Sequence, residues 1–251
     1  MLSDLERREF LDAFEAMTPS QRKWVLSTMH AFKVDSTFLR HPESDIVSEA
    51  VLDLLGNRLI SHHAGSRQAL TKDRFEFALE AALVEAGVSA ELAKSRVHNG
   101  ADICIEGVPF GLKTEAAAAI KSDILHVSKW MELGRGEWDL EKLRDRFLEH
   151  LEGYARILTL RRLRQDAKET MYELVEIPKS LLLEAARCRF EVCTNSRQTP
   201  RPGYGHVETA EGVRKFSLYF DGGTERKLQI RGLQKSLCQV HATWRFGKSI
   251  D

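Results

Sequence analysis

Apolar residues recur at helical spacing through the first third of the chain. Leu5, Phe10, Phe14 and Met17 predict one helix. Thr18-Pro19-Ser20-Gln21 follows as an N-cap, a proline in the first turn and a capping-box glutamine. The second helix runs to about Phe32, with Trp24, Val25, Met29 and Phe32 on one face. A third is expected from about Ser44 to Leu55, stopping at Gly56-Asn57. All three are expected to build core. Thr71 caps a fourth helix, Lys72–Ala86, ended by Gly87. Its stripe is Phe75, Leu79, Ala82, Leu83 and Ala86, with Glu76 and Glu80 one turn apart beside it.

The period then shortens. After a turn at Asn99-Gly100, Asp102-Ile103-Cys104-Ile105 reads as a short strand. Glu106-Gly107-Val108-Pro109 turns the chain into a second strand, Phe110 to Glu115, so the pair reads as a hairpin. The Ala116–Ala119 run reads as the start of a short helix, and Ile124–Met131 fits either strand or helix. Asp139–Leu151 is strongly amphipathic, with Leu140, Leu143, Phe147, Leu148 and Leu151 inward. Strands follow at Ile157–Leu163 and Met171–Ile177, joined by the polar turn Gln165–Thr170, and then a short helix from Pro178 to Ala186. Further strands are predicted at Phe190–Cys193, Phe216–Phe220, Lys227–Ile230 and Leu237–Phe246, with Asn195–Tyr204 a loop.

Composition narrows the class. The 251 residues are 43% hydrophobic and 29% charged, which excludes wholesale disorder and provides for a sizeable core. No apolar run is long enough to span a bilayer, so no membrane partner is expected. The acidic N-terminus lacks a basic-then-apolar leader, and a cytoplasmic location is expected. The four cysteines do not make a disulfide framework. Cys188, Cys193, Cys238 and His241 are read as buried residues, because the Cys188–Cys193 gap is wider than a tight zinc knuckle. The four tryptophans are expected in the core. The balance of 37 basic against 37 acidic residues hides an asymmetry: residues 187–248 carry 12 Lys/Arg and 5 Asp/Glu, a net of +7. A basic third dominated by arginine fits a polyanion partner as well as a solvated face.

Candidate chemistry sits on the hairpin. Side chains alternate along a strand, so Lys113 and Glu115 share a face with Gly111. Asp102 opens the partner strand, where its carboxylate reaches the same end of the sheet. Carboxylates with a lysine are the groups that metal-assisted phosphodiester hydrolysis needs. The carboxylates offer hard oxygens to Mg2+, and the lysine meets developing negative charge.

Asp102 followed after a turn by Leu112-Lys113 resembles the PD-(D/E)xK nuclease motif, with Ala101 in place of the proline and Gly111 at the usual second acid. Longer stretches resemble SmaI-type restriction endonucleases. Among them are Arg58-Leu59-Ile60-Ser61-His62-His63, Gln68-Ala69-Leu70-Thr71-Lys72, Leu112-Lys113-Thr114-Glu115-Ala116-Ala117 and His126-Val127-Ser128-Lys129-Trp130-Met131. Leu174-Val175-Glu176-Ile177-Pro178-Lys179, Pro202-Gly203-Tyr204-Gly205 and Lys215-Phe216-Ser217-Leu218-Tyr219-Phe220-Asp221-Gly222-Gly223 extend the likeness over residues 20 to 246. The resemblance implies an α/β (α+β, mixed-sheet) fold with a restriction-endonuclease-like core. It also implies a type II restriction endonuclease that cuts both strands of the double-stranded DNA palindrome CCCGGG with Mg2+, as part of a restriction-modification system. A cognate DNA methyltransferase would be linked in function but not bound. Asp102 is then the central metal ligand and Lys113 the charge-stabilising residue. Glu115 and Glu76 compete to replace the acid absent at Gly111, with Glu115 placed slightly ahead and Glu106 as an outside candidate. If neither serves, the chain is an inactive DNA-binding relative; a structure-specific repair nuclease is the other alternative.

A palindrome implies a two-fold protein, most simply a homodimer. A G·C site favours arginine or lysine on guanine O6 and N7. Arg197, Gln198 and Arg201 lie in the proline-containing loop. Lys227, Gln229 and Arg231 alternate with Leu228 and Ile230, and Arg226 flanks them. Lys129 and Arg135 are candidates for backbone phosphates. His62-His63 reads as a packed or capping pair. Three parts are expected within one compact unit: a helical region 1–70, a catalytic core 71–186 and a basic β-rich DNA-reading part 187–251.

Overall fold

The computed structural model describes residues 3–93, 101–117, 120–163 and 169–247. The turns predicted at Asn99-Gly100 and within Gln165–Thr170 lie wholly or mostly outside the described residues, as does half of the Ala116–Ala119 run.

Six α-helices and twelve strands make up the described chain, with the helices concentrated in its first third. Helices α1 (Asp4–Glu15) and α2 (Pro19–Ala31) both begin with capping boxes, at Ser3 and Thr18. Strand β1 (Ser36–Arg40) precedes α3 (Glu49–Gly65) and α4 (Lys72–Glu85). Next come β2 (Ala90–Leu92), the hairpin β3 (Ile103–Ile105) and β4 (Val108–Glu115), and β5 (Ile124–Glu132). Helix α5 (Leu140–Glu152), capped by Asp139, leads to β6 (Arg156–Leu163), β7 (Glu169–Glu176) and α6 (Lys179–Leu183). The rest is β: β8 (Arg189–Val192), β9 (Gly203–Glu208), β10 (Arg214–Phe220), β11 (Lys227–Gln234) and β12 (Gln239–Gly247).

The strands form two sheets. The larger has the order β1-β12-β7-β6-β4-β3-β2, and the smaller β5-β11-β10-β9-β8. Among the described strands only β4 and β6 run parallel, with Lys113 opposite Thr159. All the other pairs are antiparallel. The expected mixed α/β fold is what the chain adopts. Strict alternation along the large sheet feeds two cores. Phe110, Leu112, Leu158, Leu160, Leu174 and Trp244 face α3 and α4. Ile157, Val175 and Ile177 face α5 and the apolar side of the small sheet, which supplies Phe216, Leu218, Phe220, Leu228 and Ile230. The chain interleaves its regions, since β1 and β12 complete the large sheet and β5 joins the small one.

Several expectations need correction. The third helix begins at Glu49, capped by Ser48, and runs through Gly56 to Gly65. Glycine stops helices when nothing compensates for its freedom. Here the Phe38 ring of β1 packs where a Gly56 Cβ would stand, so the glycine is a contact and not a terminus. Ile124–Glu132 is a strand, and β1, β2 and the strand after Pro202 had no strong local signal. The N-terminal helices do not all build core. Six residues of α3 are buried, but α1 buries none and α2 only Ala31. Nothing in the described chain covers the apolar stripe of α1. Trp130 and Trp244 are buried, whereas Trp24 is exposed. His241 bonds Ser44 Oγ at 3.0 Å and Glu176 Oε2 at 2.9 Å. No described helix is long and apolar enough to cross a membrane.

Candidate active site

The hairpin positions its own carboxylate. Asp102 precedes β3 and its N–H donates to the Phe110 carbonyl at 2.8 Å. Its Oδ2 accepts the Leu112 N–H at 2.6 Å, which fixes the side chain across the two strands. The neighbour of Leu112 is Lys113, whose Nζ lies 3.8 Å from the same Oδ2. Lys113 is only 6% exposed. Its ammonium lies 5.1 Å from the ring centre of Trp130 and 5.9 Å from that of Tyr154, so aromatic faces replace part of its lost hydration. Burial lowers the Lys113 pKa to about 8, with Asp102 and Glu76 holding it up and Lys72 pressing it down.

Helix α4 brings the second acid. Phe75, Leu79, Ala82 and Leu83 bury its apolar stripe, and the adjoining face turns Lys72 and Glu76 toward the hairpin. Lys72 Nζ contacts Asp102 Oδ1 at 2.6 Å and Glu76 Oε1 at 3.1 Å. Burial alone would lower the Lys72 pKa, but Asp102 and then Glu76 outweigh it and raise it. His150 of α5 completes the surroundings and bonds Tyr154 OH at 3.0 Å. Burial and then the Lys113 ammonium keep its pKa below the ordinary value.

The two competing glutamates go to different places. Glu76 sits with Asp102, Lys72 and Lys113. Glu115 points into the protein, where its Oε2 meets Arg161 Nε at 2.5 Å and its Oε1 accepts the His126 N–H at 2.9 Å. Burial pushes the Glu115 carboxyl up, with Arg161 pulling it back. Glu106 occupies the tight turn with φ 48°. Gly111, where the usual second acid is absent, lies against Tyr154. A Cβ there would lie in contact with the Tyr154 ring at 3.4 Å, so any longer side chain at that position would run beside the ring that flanks Lys113.

The small sheet turns its polar face outward. Arg231 stands 3.5 Å over the Tyr219 ring and donates to Tyr204 OH at 3.0 Å and Gln229 Oε1 at 2.9 Å. Asp221 accepts from Gln229 and from Gln198, both at 3.3 Å. Arg226 lies over Trp138, whose indole N–H donates to the Arg201 carbonyl at 2.8 Å. Lys227 pairs with Glu225, and Lys129 with Glu132. Arg197 is exposed in the loop after β8. Of the histidine pair, His63 bonds Tyr172 OH and the Ser66 carbonyl.

Sequence reasoning overlooked Lys72, Trp130, His150 and Tyr154 as parts of this site. Lys72 had a usable signal, its i,i+4 spacing to Glu76 at the start of an amphipathic helix. The other three come from β5 and α5 and its end, and nothing local links them to Asp102.

Residues 11–246 match the family model SmaI, described as a type II site-specific deoxyribonuclease. The chain is 51% identical over 226 residues to the type II restriction enzyme SmaI of Serratia marcescens, covering 90% of this chain and 91% of that protein. It is 24% identical over 205 residues to the tRNA nuclease CdiA of two Escherichia coli strains, 536 and NC101. That match covers 80% of this chain but only 6% of those proteins. No solved structure matches. A family model spanning nearly the whole chain, together with a half-identical relative of the same length, shows that the chain belongs to the SmaI family of type II restriction endonucleases.

Proposed function

We propose that this restriction endonuclease cleaves both strands of the palindrome CCCGGG as a Mg2+-dependent homodimer in the cytoplasm. The observation that carries the catalytic part is the convergence of Asp102, Glu76 and Lys113 from a hairpin and a helix into one polar site. Type II restriction enzymes generally use a divalent metal. The donor set suits one: the Lys72 ammonium already sits as a cation between Asp102 Oδ1 and Glu76 Oε1. Two carboxylates, with water and phosphate oxygens completing the shell, are the usual protein share for Mg2+. Among the described residues no group of three or more His, Cys, Asp or Glu is placed to hold a metal, so the protein's share here would be this pair alone. Asp102 and Glu76 would hold the ion, which supplies Lewis acidity at the scissile phosphate. Lys113 faces the charge that develops on the phosphoryl oxygens. The aromatic walls of Trp130 and Tyr154 keep its ammonium in place and limit the water around it.

Recognition is assigned to the polar face of the small sheet. Arg231 is held by Tyr219, Tyr204 and Gln229, so little side-chain freedom remains to be lost on pairing with a guanine edge. Gln198, Gln229, Arg226, Lys227, Arg197 and Arg201 surround it as further contacts to bases or phosphates. A palindrome presents two equivalent scissile bonds, and each chain carries one Asp102–Lys113 site, so two copies meet one target.

Digestion of a sequenced plasmid in Mg2+ tests the whole reading. Discrete fragments ending within CCCGGG are expected, and a plasmid without that sequence should stay intact. Cutting elsewhere, or none with the pure protein, contradicts it. Arg231→Ala is expected to weaken binding to a CCCGGG duplex by about 1–3 kcal/mol while nonspecific binding changes little. An unchanged ratio of the two affinities in a fluorescence-anisotropy titration would remove Arg231 from the base-reading set.

A further inference from the structure

Two ammonium groups stand over the Asp102 carboxylate. Lys113 approaches Oδ2 from the interior at 3.8 Å. Lys72 approaches Oδ1 at 2.6 Å and also reaches Glu76 Oε1 at 3.1 Å. They differ in freedom. The Lys113 side chain is 7% exposed and held against two rings. The Lys72 side chain is 39% exposed and leaves from the first residue of α4. A half-exposed ammonium on a flexible four-carbon stem can exchange its two carboxylate contacts for water, whereas a buried one has no water to reach.

Place matters as much as charge. An ion that ligates both Asp102 Oδ1 and Glu76 Oε1 needs each oxygen at about 2.0–2.6 Å. The Lys72 nitrogen occupies the space between those two oxygens. A divalent ion and an ammonium cannot occupy it together, because of both volume and repulsion. We infer that Lys72 is a tethered placeholder cation, which holds the two carboxylates together in the metal-free enzyme and must withdraw before a divalent ion binds. The inference rests on the reading of Asp102 and Glu76 as the metal-holding pair. Its consequence is competition. The lysine preserves a ready-made pair of ligands that would otherwise repel each other, and it lowers the affinity of the empty enzyme for metal.

The test uses the full-length protein without DNA. Mn2+ binding is followed by the electron paramagnetic resonance signal of the free ion, Ca2+ binding by calorimetry, and thermal unfolding in EDTA and in Ca2+. Lys72→Met removes the charge and keeps most of the stem. It should bind either ion about tenfold more tightly than wild type, since the ion then displaces no ammonium from Asp102 and Glu76. It should also melt lower than wild type in EDTA and gain more from Ca2+. Lys72→Arg, which keeps the cation, should bind no more tightly than wild type. If Lys72→Met does not fold in EDTA, Lys72→Gln serves in the same comparison.

Asp102→Asn separates the two levels of the argument. If Asp102→Asn loses ion binding but Lys72→Met binds no more tightly than wild type, the placeholder role is wrong and the ligand pair stands. If Asp102→Asn binds ions as wild type does, the pair is wrong and the placeholder falls with it.

Discussion

Asp102→Ala is expected to lower cleavage of a CCCGGG duplex by about 10³-fold or more, equivalent to roughly 4 kcal/mol of barrier. Binding to the same duplex in Ca2+ should remain measurable. Two effects of the substitution must be separated. Asp102 carries the charge nearest Lys113 and Lys72, and its Oδ2 also accepts the Leu112 N–H. Alanine removes both, and an unsatisfied strand N–H costs about 1–3 kcal/mol of stability. Asp102→Asn keeps an acceptor for Leu112 and removes only the charge. It should therefore melt near wild type yet cleave as poorly as the alanine variant. Glu76→Gln, a largely buried side chain of α4 with no part in the hairpin clamp, keeps the size and should likewise leave the fold intact and remove most cleavage. Single-turnover gel assays at saturating enzyme read these losses directly. Retained cutting by Asp102→Asn would remove Asp102 from the reaction, and retained cutting by Glu76→Gln would return the second acid to another residue.

How much of this was legible beforehand depends on the range over which the cause acts. The hairpin, the α4 stripe and α5 are local, because alternation, a turn or a capping residue writes them into short windows. The resemblance carried the family and pointed to Asp102 and Lys113. The different surroundings of Glu76 and Glu115 were not legible. Strand alternation correctly places Glu115 on the face of Lys113, but it says nothing about the next strand. There Arg161, opposite Glu115 in the parallel pair, captures the carboxylate. Gly56 failed as a helix stop for the same kind of reason, since the Phe38 ring that packs on it is eighteen positions away. The rings beneath Lys113 and the tyrosines around Arg231 are also tertiary. On β11 the alternation of Gln229 and Arg231 with Leu228 and Ile230 could be read in sequence, and the two polar residues do share one face of the small sheet. The aromatic partners that hold Arg231 come from β9 and β10.

Arg161→Ala is expected to destabilise the fold by about 3–5 kcal/mol, the largest stability effect foreseen for a single side chain here. Arg161 is fully buried in the large sheet. Its guanidinium bonds Glu115 at 2.5 Å, Glu173 at 3.2 Å, and the carbonyls of Lys121 and Ile124 at 2.7 Å each. Lys235 reaches Glu173 from β11's far end at 3.0 Å, so two cations and two carboxylates balance. Deleting the arginine leaves the buried Glu115 without its countercharge and frees two carbonyls at once, while Glu173 keeps Lys235, and a lysine lacks the planar fork that serves all four. The same cluster joins the two sheets, since Ile124 opens β5 of the small sheet while Arg161 and Glu115 belong to the large one. Its loss should therefore loosen the polar end of the junction between the strand that carries Lys113 and the sheet assigned to DNA, whose apolar core remains. Glu115→Gln keeps an acceptor for the His126 N–H and loses only the charge facing Arg161, so a smaller cost of about 1–3 kcal/mol is expected. Urea unfolding measures both. The functional reading follows from the comparison: Glu115→Gln protein that is still folded at the assay temperature should cleave at close to the wild-type rate, because its carboxylate faces Arg161 and not Asp102. If that variant unfolds at the wild-type urea midpoint and yet fails to cleave, Glu115 takes part in the reaction and Glu76 loses its claim to the second acid.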